Sequence, residues 1–321
     1  MYLNLTKITF FNTMMIGVMI SISSNNWVNM WTGMEIGVLS IIPMMTQEKI
    51  SSDSSIKYFI VQSVSSSMMI MAIMAISLKM NFKIIIIQSM LIKIGASPFH
   101  VWMLSIVESI SYYTMFMLLT VTKIPGLMVL SMLNEQIQIW SILSMMIGSI
   151  MAINQSSVKK ILTYSSIYNL GIMMSSMNEN QIWMNYMIIY SVMLLMLTPT
   201  MYKLKVNYLN QLMLNEIEYV TKISIWISLM SMAGLPPLIG FTAKMTMLEK
   251  MIMKKEILMT SMMLTSSMIM MFTYMRISFL SMMIQSTINK WTMVKNSNMQ
   301  IKLLIVNLMM TPTMLTLKNL I

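Results

Sequence analysis

Apolar residues run along this chain in continuous stretches, not in alternation, and most stretches are close to the ~20 residues that carry a helix across roughly 30 Å of hydrocarbon. Polar interruptions divide the sequence into eleven of them: 4–22, 25–45, 56–78, 84–110, 113–132, 137–153, 161–175, 182–202, 222–253, 258–281 and 301–317. Two are broken internally, near 95–98 by Gly95 and Pro98 and near 234–237 by Gly234, Pro236 and Pro237. Such breaks free backbone groups and leave half-helix ends inside the protein. Backbone in lipid must satisfy its hydrogen bonds within the protein, and unbroken apolar runs do this as helices, whereas a barrel needs period two. The pattern predicts an all-α, polytopic membrane helix bundle, a single integral-membrane domain over 1–321, with about eleven transmembrane helices of which two are broken. Interrupted helices in both halves of a chain point to a transporter with inverted repeats and a central ion path. The stretch 203–221 is the longest hydrophilic connection and is expected to lie on the surface as a short amphipathic helix. The first stretch is as long as a signal peptide but offers no small-residue cleavage site, so it reads as the first span.

Composition narrows the chemistry. Hydrophobic residues make up 57% and charged ones 10%, and mean hydropathy is +0.72, outside the soluble globular range. With no cysteine and one histidine, His100, the chain has no ordinary ligand set for an iron–sulfur cluster, a haem or a zinc ion. It also lacks a GxGxxG or GxxxxGK[ST] loop to hold a nucleotide. Redox or ATP chemistry is therefore expected on another chain. The net charge of +11 is read as loop asymmetry and not as nucleic-acid binding, because no basic stripe is interleaved with aromatics on a soluble face. Numbered along the loops, Lys7, Lys49, Lys57, Lys159, Lys160, Lys203, Lys205, Lys222, Lys290, Lys295 and Lys302 gather on the side of the N-terminus, against Lys79, Lys83, Lys254, Lys255 and Lys318 opposite. The positive-inside rule then places the N-terminus in the compartment of synthesis. The 51 methionines are spread over every span, unlike a local copper site.

Four charges are read as standing deep inside spans, away from the loops: Glu35, Lys93, Lys123 and Lys244. A charge at the centre of a membrane helix costs about 2.5–3.5 kcal/mol on insertion scales and usually turns toward a partner or water. Two readings follow. In one, Glu35 makes a fixed interhelical salt bridge and the lysines pair or reach an interface. In the other, burial disfavours a charged ammonium while a nearby carboxylate favours it, so a buried lysine whose acidic partner moves is a switchable proton site. Glu35 would then poise Lys93, and Lys93, Lys123 and Lys244 would form a relay. His100 either bridges such a path or is a neutral imidazole bonded to a carbonyl freed by the break.

Ordered motifs carry a resemblance over nearly the whole chain: "WTGMEIGVLSIIPMM" at 31–45, "SIKYFIVQS" at 55–63, "KIGASPFHVW" at 93–102, "LTVTKI" at 119–124, "INQSSVKKILTYSSIYNLGIM" at 153–173 and "GLPPLIGFTAK" at 234–244. The chain resembles the chain 2 family of mitochondrial NADH:ubiquinone oxidoreductase, respiratory complex I. The methionine excess also resembles that of animal mitochondrial gene products. The resemblance implies an antiporter-like, proton-translocating membrane subunit of the mitochondrial inner membrane, its N-terminus on the matrix side and its N-terminal part shorter than in its larger relatives; the alternatives are a free-standing secondary cation/proton antiporter and a structural membrane-arm subunit without its own proton path. It implies that Glu35, Lys93, Lys123 and Lys244 are the proton-path residues, beside which His100 is a candidate from the residue pattern alone. NADH, FMN, iron–sulfur clusters and ubiquinone would sit on other subunits. The implied partners are neighbouring antiporter-like and small membrane subunits and lipids, not nucleic acid. Three positions depart from the family pattern. Leu104 and Ser105 replace a Pro-Glu pair, with Glu108 one turn later; Val121 and Thr122 replace an aromatic and an amide; and Asn169 replaces a histidine, so that a titratable group is lost there.

Overall fold

The computed structural model describes residues 5–46, 52–79, 82–133, 137–214, 219–282 and 305. Among the described residues the regular structure is helical apart from one isolated bridge between Ser157 and Tyr208. The chain divides into two compact units, Met1–Ser144 and Met145–Ile321, with the division falling inside one helix.

The first unit holds α1 (Leu5–Ser23), α2 (Trp27–Thr46), α3 (Ser52–Ser77), α4 (Lys83–Ile94), α5 (Val101–Val107), α6 (Tyr112–Leu119), α7 (Lys123–Leu133) and the start of α8 (Gln138–Ile153). The second holds the rest of α8, then α9 (Val158–Ser175), α10 (Asn180–Leu204), α11 (Leu209–Leu214), α12 (Tyr219–Ala233), α13 (Ile239–Met253) and α14 (Ile257–Met282). Among the described residues five stretches are long and apolar enough to cross a membrane: Leu5–Ser23, Ser52–Ser77, Tyr112–Leu133, Gln181–Leu204 and Ile257–Met282. The expected span 301–317 lies outside the described residues apart from Ile305, as do Lys49, Lys290, Lys295, Lys302 and Lys318 of the loop-charge argument. Within 203–221 the expected surface helix is the six-residue α11, and 215–218 lie outside the described residues.

Both expected breaks are present, and both are built the same way. α4 ends at Gly95 in the left-handed region (φ 72°), whose N–H bonds to Leu91 O at 3.0 Å while the N–H of Ala96 returns to the same carbonyl at 3.0 Å. α12 ends at Gly234 (φ 85°), whose N–H bonds to Met230 O at 3.1 Å, with Leu235 N–H returning to it at 3.3 Å. A side chain at either φ costs about 1–2 kcal/mol, which is why glycine stands at both positions.

A third break was not expected. The run 113–132 reads as one span, but α6 stops at Leu119 and α7 starts at Lys123. Thr120 Oγ1 donates to Phe116 O at 2.8 Å and Thr122 Oγ1 to Leu118 O at 2.7 Å. Such back-bonding competes with the ladder and bends helices. Thr122 N–H slips to Met117 O at 3.3 Å, and the N–H groups of Lys123 and Ile124 make short-range bonds to Thr120 O and Val121 O. Pro125, with no N–H, is tolerated because it now falls in the first turn of a new helix. Lys123 thus starts a helix after a short turn in the middle of the span-length stretch Tyr112–Leu133.

Loop assignment also changes for two lysines. Lys159 and Lys222 are 8% and 2% exposed and belong to the first turns of α9 and α12. Arg276, inside α14, is a further intramembrane-type charge that the count of four omitted. Its guanidinium donates to Ile153 O at 2.6 Å and Gln155 O at 3.0 Å, at the C-terminal end of α8.

Candidate functional site

In the first unit α2 brings Glu35 to the last turn of α4, and Lys93 Nζ donates to Glu35 Oε1 at 2.8 Å. The expected pairing is therefore made across 58 residues of sequence. It is asymmetric: the Lys93 side chain is 6% exposed and that of Glu35 is 23%. The ammonium depends on the carboxylate more than the carboxylate depends on it, since an unpaired buried cation is the costlier of the two states.

The backbone that carries Lys93 is fastened by two neutral donors. Gln62 Nε2 on α3 donates to Lys93 O at 3.2 Å, and Trp102 Nε1 on α5 donates to Ile92 O at 3.1 Å. Tyr58, one turn before Gln62 on α3, packs against the Trp102 ring with centroids 6.0 Å apart. Tyr58, Gln62, Lys93, Gly37 on α2 and Thr122 beside the third break line a cavity of about 30 Å³. That is room for about one or two waters, and the polar lining side chains meet the two to four partners a buried water needs.

Lys123 is 1% exposed, and its Nζ has no hydrogen-bond partner among the described residues. The cavity touches Thr122, Pro125 and Gly126, which flank Lys123 on α7, but Lys123 itself is not part of its wall. His100 is the residue before α5, half-buried, and its imidazole hydrogen-bonds to the backbone of Pro98, a carbonyl inside the break. Glu108, at the end of α5, is exposed.

Lys244 belongs to the second unit. It sits in the second turn of α13 and is 8% exposed. Its Nζ donates to Ala233 O at 2.7 Å and Met232 O at 3.4 Å, and it lies 5.6 Å from the centre of the Tyr168 ring, within cation–π range. A carboxylate does not enter this arrangement among the bonds described. Nearby, Asn169 stands on α9 and accepts a 2.8 Å bond from the Tyr186 hydroxyl, so this amide is tied to a buried hydroxyl.

The sequence thus identified Glu35, Lys93, Lys123 and Lys244 as buried or half-buried charges, and the structure brings Glu35 and Lys93 together. It missed Gln62 and Trp102, which act through backbone carbonyls; the signal available was an amide and an indole facing a Gly/Pro break that must expose acceptors. It missed Arg276, although the charge in "MFTYMRISF" was in plain view.

The family model described as NADH:quinone oxidoreductase/Mrp antiporter, transmembrane, matches residues 24–83 and 77–270. NADH-ubiquinone oxidoreductase chain 2 of Anopheles gambiae is 33% identical, over 88% of this chain and 87% of the relative. That of Locusta migratoria is 33% identical, over 99% and 98%. The fold superposes with a TM-score of 0.81 on a chain in a structure of respiratory complex I from Thermus thermophilus with bound aureothin, at 15% identity and covering 94% of this chain and 76% of that one. On the strength of these matches, the chain belongs to the NADH-ubiquinone oxidoreductase chain 2 family of antiporter-like membrane proteins.

Proposed function

We propose that this chain is a core membrane-arm subunit of NADH:ubiquinone oxidoreductase in the mitochondrial inner membrane, and that it contributes to proton translocation through Glu35, Lys93, Lys123, Lys244 and His100. NADH, FMN, iron–sulfur clusters and ubiquinone belong to other subunits in this reading. Neighbouring antiporter-like and small membrane subunits are the partners, lipid is the solvent, and in a fold of about eleven spans the excess of loop lysines on the N-terminal side supports an N-terminus facing the matrix. The observation that carries the proposal is the 2.8 Å Lys93–Glu35 pair at the edge of a helix break inside an apolar bundle. A lysine held there beside one carboxylate has two protonation states whose balance depends on whether that carboxylate is in place.

Lys123 is the natural next site because its ammonium is buried without a partner among the described residues. The test is Lys123→Ala in the assembled enzyme reconstituted into vesicles. Fewer protons moved per electron, or blocked turnover, is the expected result; normal assembly with normal pumping removes the relay's central member. Glu35→Gln should lower activity more than assembly, whereas a bridge that only holds the bundle together gives the reverse. For Lys244 a structural role is favoured by one observation, its donation to two carbonyls at the end of α12.

A further inference from the structure

Lys93 stands in the last turn of α4, where the exposed carbonyls and the helix dipole attract a cation. The second break shows what an ammonium does when it answers that attraction: Lys244 donates to Ala233 O and Met232 O instead of to a carboxylate. Counting back from Gly95 as from Gly234, the counterpart of Met232 O is Lys93 O, which a neutral donor occupies, and the carbonyl before it, Ile92 O, is occupied as well. Trp102 Nε1 takes Ile92 O and Gln62 Nε2 takes Lys93 O. The seat of the indole is built for it. A Cβ on Gly95 would lie 3.3 Å from the Trp102 ring, and Tyr58 holds the ring from the side of α3, one turn away from Gln62.

We propose that Gln62 and Trp102 are positioning residues for Lys93: by bonding the carbonyls of Lys93 and Ile92 they occupy two of the acceptors in the last turn of α4 and favour the pairing of the ammonium with Glu35 at the edge of the cavity. This rests on the reading of Lys93 as a proton site for its functional consequence, but not for its geometry. Neither residue touches the migrating proton. Each acts by deciding which acceptor Lys93 sees.

Trp102→Phe keeps an aromatic ring but loses the N–H together with part of the indole's bulk, and Gln62→Leu keeps the bulk and removes the amide. In the assembled enzyme each is expected to lower proton-coupled turnover about two- to tenfold, the worth of one hydrogen bond. In a Glu35→Gln background the further loss should fall below about twofold, because residues acting through one pair are not additive. A map of Trp102→Phe should show Lys93 Nζ beyond hydrogen-bond distance of Glu35. An equal loss in both backgrounds, or a Lys93–Glu35 pair still intact in the variant map, overturns the proposal. If Glu35→Gln alone leaves turnover unchanged, the proton-site reading fails and the map alone decides the positioning claim. Should Gln62→Leu fail to assemble, Trp102→Phe carries the test by itself.

Discussion

The breaks after α4 and after α12 end on the same left-handed glycine and the same return of two N–H groups to one carbonyl, yet their lysines have opposite occupations. Lys93 precedes its break, is relieved of capping by Gln62 and Trp102, and pairs with Glu35. Lys244 follows its break, reaches back, and is itself the cap. A lysine beside a helix break is therefore not one kind of site. What it does depends on whether a neutral donor has already taken the carbonyls. For Lys244 the ammonium and the break are coupled, since a group that donates to two carbonyls holds the end of α12 as well as its own proton.

Substitutions can break or sharpen that contrast. Among lysine and glycine substitutions at the breaks, the largest effect is expected for Lys93→Met, which strands the Glu35 carboxylate. Breaking a buried pair costs about 3–5 kcal/mol, and the 23% exposure of Glu35 puts this case at the low end. Thermal unfolding of the purified complex and its yield on a native gel measure it. Lys244→Met should cost less, about 1–3 kcal/mol for carbonyls left without their donor; a loss as large as that of Lys93→Met would mean that Lys244 also has an acidic partner. Gly234→Ala comes next, at about 1–2 kcal/mol for the left-handed backbone. Its Cβ would press on the Lys244 stem at 3.0 Å, so turnover should fall together with stability. Smallest is Lys123→Met. Removing a buried ammonium that has no partner among the described residues should leave the complex at least as heat-stable as before, because an uncompensated buried charge is a cost. A marked drop in its thermal midpoint would show that Lys123 has a structural partner.

The helical class and the positions of the two predicted breaks were readable because each rests on a local rule. Apolar runs of spanning length require helices, and Gly-Leu-Pro-Pro or Gly-Ala-Ser-Pro cannot continue one. The third break, at 120–122, was equally local but was hidden by hydropathy. Thr120 and Thr122 are apolar enough to pass as span residues, and only their hydroxyl bonds to Phe116 O and Leu118 O show the bend. Lys159 and Lys222 were placed in loops because a charge near a span edge normally belongs there, but packing buries both.

Sequence alone determined that charges would stand where hydrocarbon surrounds them, since residue type and distance along a helix set depth without reference to any neighbour. It also determined which family the motifs resemble. Only the tertiary structure decided which acceptor each ammonium meets, because that choice is made between groups far apart in the chain. Glu35, Gln62 and Trp102 converge on the end of α4 through three different helices, and the rank of a carboxylate against a helix-end carbonyl depends on which of them arrives within hydrogen-bond distance.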